Sequence, residues 1–568
     1  MLSYRKLAMR VLGHPLHTGG IDSPRPASQR AAAFILTAVM LTTLAAPAFA
    51  GTWSIENGDI TVKAGETGND VTQNNVTTKN DTDTIITNSD KDTASSHTVT
   101  IETNDKNDKV EVTLDNVNIK ADSGSALTSK GDVTLTLKGD NSLTGGNGGS
   151  GISSSGSLTI SGGENNSLTA QGGSGSGIFS SGGVTISGGT VNATGGSSSG
   201  GSDSGDGIHS GSLTISGGTV TATGGTCGTG ENSNGGSGIY IYSSSGSLTV
   251  SGGTVTANGG SGGGNGGDGI SSTNTTISGG STVTANGGNG GSLVGGDGIR
   301  SGGGLTVSDG TVTAKGGNGN SKDGYGGDGI RSGGVVTISG NTVNAAGGYG
   351  GKVGGYGICS FDRVAISGGT VEAAGGNGST GGGSGIYSSV IDLSGSLELT
   401  AKAGSPNGKA LSQNGSELVL DTIKDKLGPG AKVTATDADG KVIDQVSTPR
   451  PVEPEESSSS SDGGSSAPSA PASPLPGLTV TDKDGQRISY TSTQSGNTLT
   501  VCVGRLTASF RISLAALRQL RAEGIETIAF QTVLCSTTLS VDELLAMGGE
   551  DAEAVLTHRF TDSSLTVG

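Results

Sequence analysis

"GGDGIRSGGGLTV" occupies residues 295–307, and "GGDGIRSGGVVTI" occupies residues 326–338. The two copies stand 31 positions apart and keep Asp, Ile and Arg in step. Working outward, the apolar residue of a G-I or A-L dipeptide returns at Leu127, Ile152, Ile178, Ile208, Ile239, Ile270, Ile299, Ile330, Ile358, Ile386 and Leu411, at intervals of 25 to 31 residues. Self-similarity at such a period marks a solenoid, so the repeat decides the fold before any single element is assigned.

Each period reads G-I-x-S, then roughly L-T-I-S-G-G, then T-V-T-A-x-G-G, then a glycine-rich stretch of variable length. In the period that begins at Ile299, alternation puts Leu305, Val307, Val312 and Ala314 on one face and Thr306, Thr311, Thr313 and Lys315 on the other. Three such strands are too short to stand alone. They become stable when each period is one coil, pairing with the copies above and below and stacking its apolar residues into a thin core. The expected fold is all-β, a right-handed parallel β-helix of about ten or more coils, some 50 Å long at about 4.8 Å per coil. Glycine pairs at the corners are expected to supply positive φ. Length varies just before each G-I, which makes that corner the loop-bearing edge.

Composition agrees. Glycine supplies 109 of the 568 residues and aromatics 3%, far from an ordinary globular mixture. The glycines lack the every-third spacing of collagen, and recurrent β-branched runs exclude a uniformly disordered chain. A formal charge of −17 disfavours nucleic acid and anionic membrane surfaces as partners.

The sequence also divides. Residues 1–50 read as a signal peptide: Arg5, Lys6, Arg10, Arg25 and Arg30 precede the apolar run 31–45, and Ala48-Phe49-Ala50 is a small-residue cleavage site that leaves Gly51 first. No membrane span is expected after cleavage, and the mature chain is expected to be secreted or held at the cell surface. Residues 51–126 read as an N-terminal cap with the first irregular coils, 127–411 as the regular repeats, and 412–447 as the opposite cap, with a turn at Asp439-Gly440. Residues 448–477 form a Ser/Pro-rich linker. Residues 478–568 form a small α+β module with helices capped by Ser513 and Ser540. Within it Cys502 and Cys535 are the candidate disulfide, as expected outside the reducing cytosol.

Two columns carry candidate chemistry. The acid of G-D-G-I appears at Asp206, Asp268, Asp297 and Asp328, the last three in consecutive coils. Stacked carboxylates repel, so compensation is expected from calcium at these four residues or from Arg300 and Arg331 three positions on, the alternative being a merely solvated ladder. The position after each Ile forms an outward column that includes Phe179, His209, Tyr240, Arg300, Arg331, Cys359 and Tyr387. Rings stack on the apolar faces of sugars and guanidinium groups pair with uronates, so Phe179, His209, Tyr240, Arg300, Arg331 and Tyr387 are the candidate carbohydrate-binding residues. Tyr325, Tyr349 and Tyr356 lie near the loop-bearing corner. The outward threonines, such as Thr219, Thr221, Thr254 and Thr256, read as solvent-facing strand residues. D-x-D-G at 437–440 and 482–485 lacks the closing Glu of a calcium hand and reads as turns. No H-E-x-x-H or G-x-S-x-G motif stands in a suitable context, so no catalytic residue is assigned.

The coil "GIxSxGxLTISGGTVTAxGG", preceded by "VTLDNVNIKADSGSAL" at 112–127, resembles the secreted right-handed β-helix carbohydrate-binding proteins of Gram-positive bacteria, over about residues 97–420. That resemblance implies non-catalytic, adhesin-like binding of plant cell-wall polysaccharide with calcium as cofactor. Two other readings compete with it: a structural adhesin or stalk that binds proteins, and a polysaccharide lyase. A cell-surface protein is a candidate partner of the C-terminal module.

Overall fold

The computed structural model describes residues 50–103, 109–199, 203–449 and 477–567, apart from 229, 231–232, 341, 482–486, 489, 496, 504–507, 533–535, 549–551 and 559–562. Residues 1–49, within the expected signal peptide, and almost all of the expected linker lie outside the described residues. The chain forms two compact units, Met1–Pro454 and Glu455–Gly568.

The first unit is a parallel β-solenoid of about 14 turns. The interval between G-I dipeptides becomes vertical stacking: Ile270 pairs with Ile299, Ile299 with Ile330, and Ile330 with Ile358. The second strand of the period stacks likewise, with Leu305 against Val336. The third strands build a 13-stranded sheet in which Thr282–Asn286 pairs with Thr311–Lys315 residue for residue. Apolar residues of all three ladders meet in one continuous core, where Ile299, Leu305, Val307, Val312 and Ala314 are fully buried. The serine of G-I-x-S also points inward, and its hydroxyl finds a carbonyl: Ser301 donates to Gly304 O at 2.8 Å and Ser332 to Gly303 O at 2.7 Å.

Parallel stacking already starts in residues 51–126, where Ile60 pairs with Val99 and Val99 with Leu127. An antiparallel meander, Ile60–Ala64, Asn69–Gln73 and Val76–Asp81, closes that end. At the other end Lys432–Thr436 pairs antiparallel with Val442–Ser447. The D-x-D-G at 437–440 is a turn in which Asp437 Oδ1 accepts the N–H of Lys441 at 2.8 Å. Residues 482–485 lie outside the described residues.

Glycine has two jobs, and only one follows the sequence reading. At the S-G-G corner Gly218, Gly253 and Gly310 adopt φ of +81°, +76° and +109°, as expected. At the loop-bearing corner Gly267 and Gly296 do not. There the coils approach so closely that a Cβ on Gly296 would lie 1.9 Å from Gly267 O, and one on Gly267 would lie 2.0 Å from Gly236 O. Contact between coils, not backbone handedness, excludes every other residue.

The second unit has two four-stranded sheets and a core around Phe510 and Phe530, whose ring centroids are 4.9 Å apart. Helix Leu514–Ala522 is capped by Ser513, which accepts Ala516 N–H, and helix Val541–Met547 by Ser540, which accepts Glu543 N–H. Among the described residues no helix is long and apolar enough to cross a membrane.

Candidate functional site

The residue after each core Ile forms a column on the outer face of one parallel sheet. Backbone pairing joins Phe179 to His209, His209 to Tyr240, Tyr240 to Ser271, Ser271 to Arg300, Arg300 to Arg331, Arg331 to Cys359 and Cys359 to Tyr387. Seven steps of about 4.8 Å make this strip roughly 34 Å long.

The side chains touch along it. Centroids of Phe179 and His209 lie 5.3 Å apart, and those of His209 and Tyr240 lie 5.0 Å apart, edge to face. Tyr242 adds a fourth ring 5.2 Å from His209, and its hydroxyl donates to Ser181 O at 2.8 Å. Farther along, Arg331 stands 5.1 Å over the Phe361 ring, and Tyr356 stacks on Tyr387 at 4.8 Å with 17° between planes. Tyr242 and Phe361 are 43% and 56% exposed, so part of each ring is open to a ligand. Neither was singled out from the sequence. Alternation in "IYIY" could have found Tyr242, and alternation along Ile358, Cys359, Ser360 and Phe361 could have found Phe361, although the outward place at Cys359 is covered.

Cys359 corrects the expectation of a uniformly outward column, for it is 1% exposed. Burial, followed by the nearby Asp328 charge, pushes its thiol up to about 12. Tyr325 and Tyr349 lie apart from the strip, at the loop-bearing corner, where Tyr325 bridges to Val294 and Val353 and carries Lys352 over its ring at 5.6 Å.

The aspartates stand directly behind the column. One oxygen of each accepts an N–H from the next coil: Asp206 from Ser237 at 2.6 Å, and Asp268 from Asp297, Asp297 from Asp328 and Asp328 from Tyr356, each at 2.7 Å. The other oxygen turns to the residue three positions on. Asp206 Oδ2 lies 2.8 Å from His209 Nδ1, and Asp328 Oδ2 accepts from Arg331 at 3.3 Å. D-G-I-x is therefore one device, in which the acid ties two coils together and orients a column side chain.

Asp297 and Asp328 are 5% and 4% exposed, and Asp268 is half-buried. Burial, then repulsion from Asp297, raises Asp268 to about 7 and Asp328 to about 8. Burial raises Asp297 as well. These oxygens already face N–H donors and cations, and among the described residues no group of three His, Cys, Asp or Glu converges as a metal would require. The column does not fit the open oxygen cluster that calcium takes.

The disulfide expected between Cys502 and Cys535 falls on Cys535, outside the described residues. Cys502 Sγ contacts Gln531 Oε1 at 3.2 Å.

Comparison with known proteins returns no matching family model, no similar curated protein and no similar solved structure. The class of protein that fold and site define is thus a parallel β-solenoid with an outward strip of aromatic, His and Arg side chains.

Proposed function

We propose that the protein is an exported, non-catalytic β-solenoid that binds polysaccharide along the strip from Phe179 to Tyr387. The observation that carries this reading is the column itself: rings in contact at Phe179, His209, Tyr240 and Tyr242, and Arg300 and Arg331 farther along, set at the coil spacing. A polysaccharide is also a linear repeat, so a ligand of that kind meets one side chain after another instead of a single pocket. Rings at Phe179, Tyr240 and Tyr242 suit the apolar faces of pyranoses. Arg300 and Arg331 suit carboxylates, because a guanidinium group pairs with them in two-pronged fashion. Burial, then repulsion from Asp297, raises the proton affinity of Asp268 and Asp328, which weakens their cancellation of that positive charge.

The test is retention of the mature chain on immobilised pectate and cellulose, in calcium and in chelator, for wild type and for Tyr240→Ala and Arg331→Ala. Retention that both variants weaken supports the reading, with Arg331→Ala acting selectively on pectate. A calcium requirement would place the ion between protein and glycan. Failure of every polysaccharide in both buffers sinks the proposal, and ultraviolet-absorbing unsaturated products from pectate would make the protein a lyase. A second reading, protein binding in an adhesin or stalk, draws on the exposed Val294 and Tyr325, stacked with half-buried Val353, and on exposed Leu293 and Tyr349 beside them.

A further inference from the structure

We propose that cleavage after Ala50 creates a structural group: the new α-ammonium of Gly51 is captured by buried Asp81 and locks the first coil. The proposal requires removal of the leader and is independent of what the aromatic strip binds.

Three observations converge. The A-x-A pattern at Ala48-Phe49-Ala50 puts the scissile bond between Ala50 and Gly51. Ala50 is exposed while Gly51 is buried, so burial begins at that bond. Gly51 N lies 2.8 Å from Oδ1 of Asp81, a carboxyl with no exposure to solvent.

In the uncut chain that nitrogen is an amide, standing where the ammonium nitrogen of the mature chain would sit. Among the described residues the donors to Asp81 are then neutral: Gly51 N, Trp53 Nε1 at 2.8 Å and Asp83 N at 3.3 Å. A carboxylate removed from water and held by neutral donors is costly to bury, and an adjacent cation offsets much of that cost. Charge-assisted hydrogen bonds are also stronger than neutral ones. The neighbours hold the nitrogen in place, since Gly51 O accepts Ile85 N–H at 2.9 Å and Thr52–Ser54 pairs with Ile85–Thr87.

The covalent step is a hydrolysis by an export peptidase acting on the unfolded chain. Water adds across the Ala50–Gly51 bond, with hydroxyl to the Ala50 carbonyl carbon and hydrogen to the Gly51 nitrogen. The new acid then releases its proton and the amine takes one, which leaves a carboxylate on the leader and an ammonium on Gly51. The bond to Asp81 is an ion pair, with no further covalent change.

Trp53 is the chain's single tryptophan, so its fluorescence reports on this site. The experiment compares the exported chain beginning at Gly51 with one that retains Ala48-Phe49-Ala50, each with and without Asp81→Asn. The exported protein should begin at Gly51 by N-terminal sequencing. Its α-amine should be acylated at neutral pH roughly tenfold or more slowly than that of a short peptide, and at the peptide's rate after denaturation. Asp81→Asn should change Trp53 emission and lower Tm by a few degrees in the Gly51 chain, and less in the extended chain. If Asp81→Asn fails to fold, Trp53→Phe, which leaves the ammonium pair in place, keeps the acylation measurement available. A different mature start, peptide-like acylation of the folded protein, or equal losses in both chains overturns the proposal.

Discussion

Replacement of Asp297 by Asn should stabilise the solenoid at high pH and do nothing at low pH. Asp268, Asp297 and Asp328 stand on successive coils, linked by 2.7 Å bonds from one backbone N–H to the next carboxyl. At a coil spacing of about 4.8 Å and an effective dielectric of about 20, each adjacent ionised pair repels by roughly 3–4 kcal/mol. Asp297 belongs to two such pairs, a gross repulsion of about 7 kcal/mol that attraction to Arg331 and Arg300 opposes. Asn keeps an oxygen for Asp328 N–H and removes the charge, so the expected gain is on the order of a few kcal/mol once the ladder is ionised. The sign follows from the raised folded-state values of about 7 for Asp268 and about 8 for Asp328, against about 3.9 in the unfolded chain. Between these limits the folded protein binds more protons, so its stability is greatest below about pH 4 and falls as pH rises through 7 to 8. Thermal unfolding at pH 3 and pH 9 is the assay. Tm of the wild type should fall between the two, and Asp297→Asn should recover a few degrees at pH 9 and match wild type at pH 3. A variant less stable than wild type at pH 9, or a difference that ignores pH, would refute the argument.

Two further outcomes can be checked directly. Gly148→Ala places a side chain at φ +76° with nothing within 4 Å, and should cost about 1–2 kcal/mol. Gly296→Ala drives a Cβ to within 1.9 Å of Gly267 O, so its urea midpoint should fall several times further; comparable losses would contradict the two-job account of glycine. With iodoacetamide at pH 8, half-exposed Cys227 should be alkylated in the folded protein and buried Cys359, its thiol pushed up to about 12, only after denaturation. Equal labelling by mass spectrometry would show that Cys359 is not covered.

A solenoid makes part of its structure unusually legible, because one fixed period converts distance in sequence into contact in space. Phe179, His209 and Tyr240 meet because each follows a core Ile by one residue, and the same rule stacks Arg300 under Arg331. What the period does not carry is depth. Cys359 holds the same place in its coil as Arg331 and Tyr387, yet it is buried where Arg300 is exposed, since cover depends on what neighbouring coils lay over each position. Gly296 likewise reads as a turn residue until the distance to the coil below is known. Gly51 and Asp81 belong to no repeat, so no pattern joins them.

The same rule limits what the columns can be used for. Stacking places every side chain beside its own copies, so a column tolerates Thr, Ser or aromatic rings freely and tolerates Asp only with protons or cations beside it. The strip presents side chains that recur at one coil spacing. Such an array gains from a ligand that recurs as well, because each added contact then forms without the full entropic cost of a separate binding event. Binding to the strip should for that reason strengthen steeply with the length of the saccharide. An affinity for a monosaccharide equal to that for a long oligomer would point to a single local pocket and against the strip.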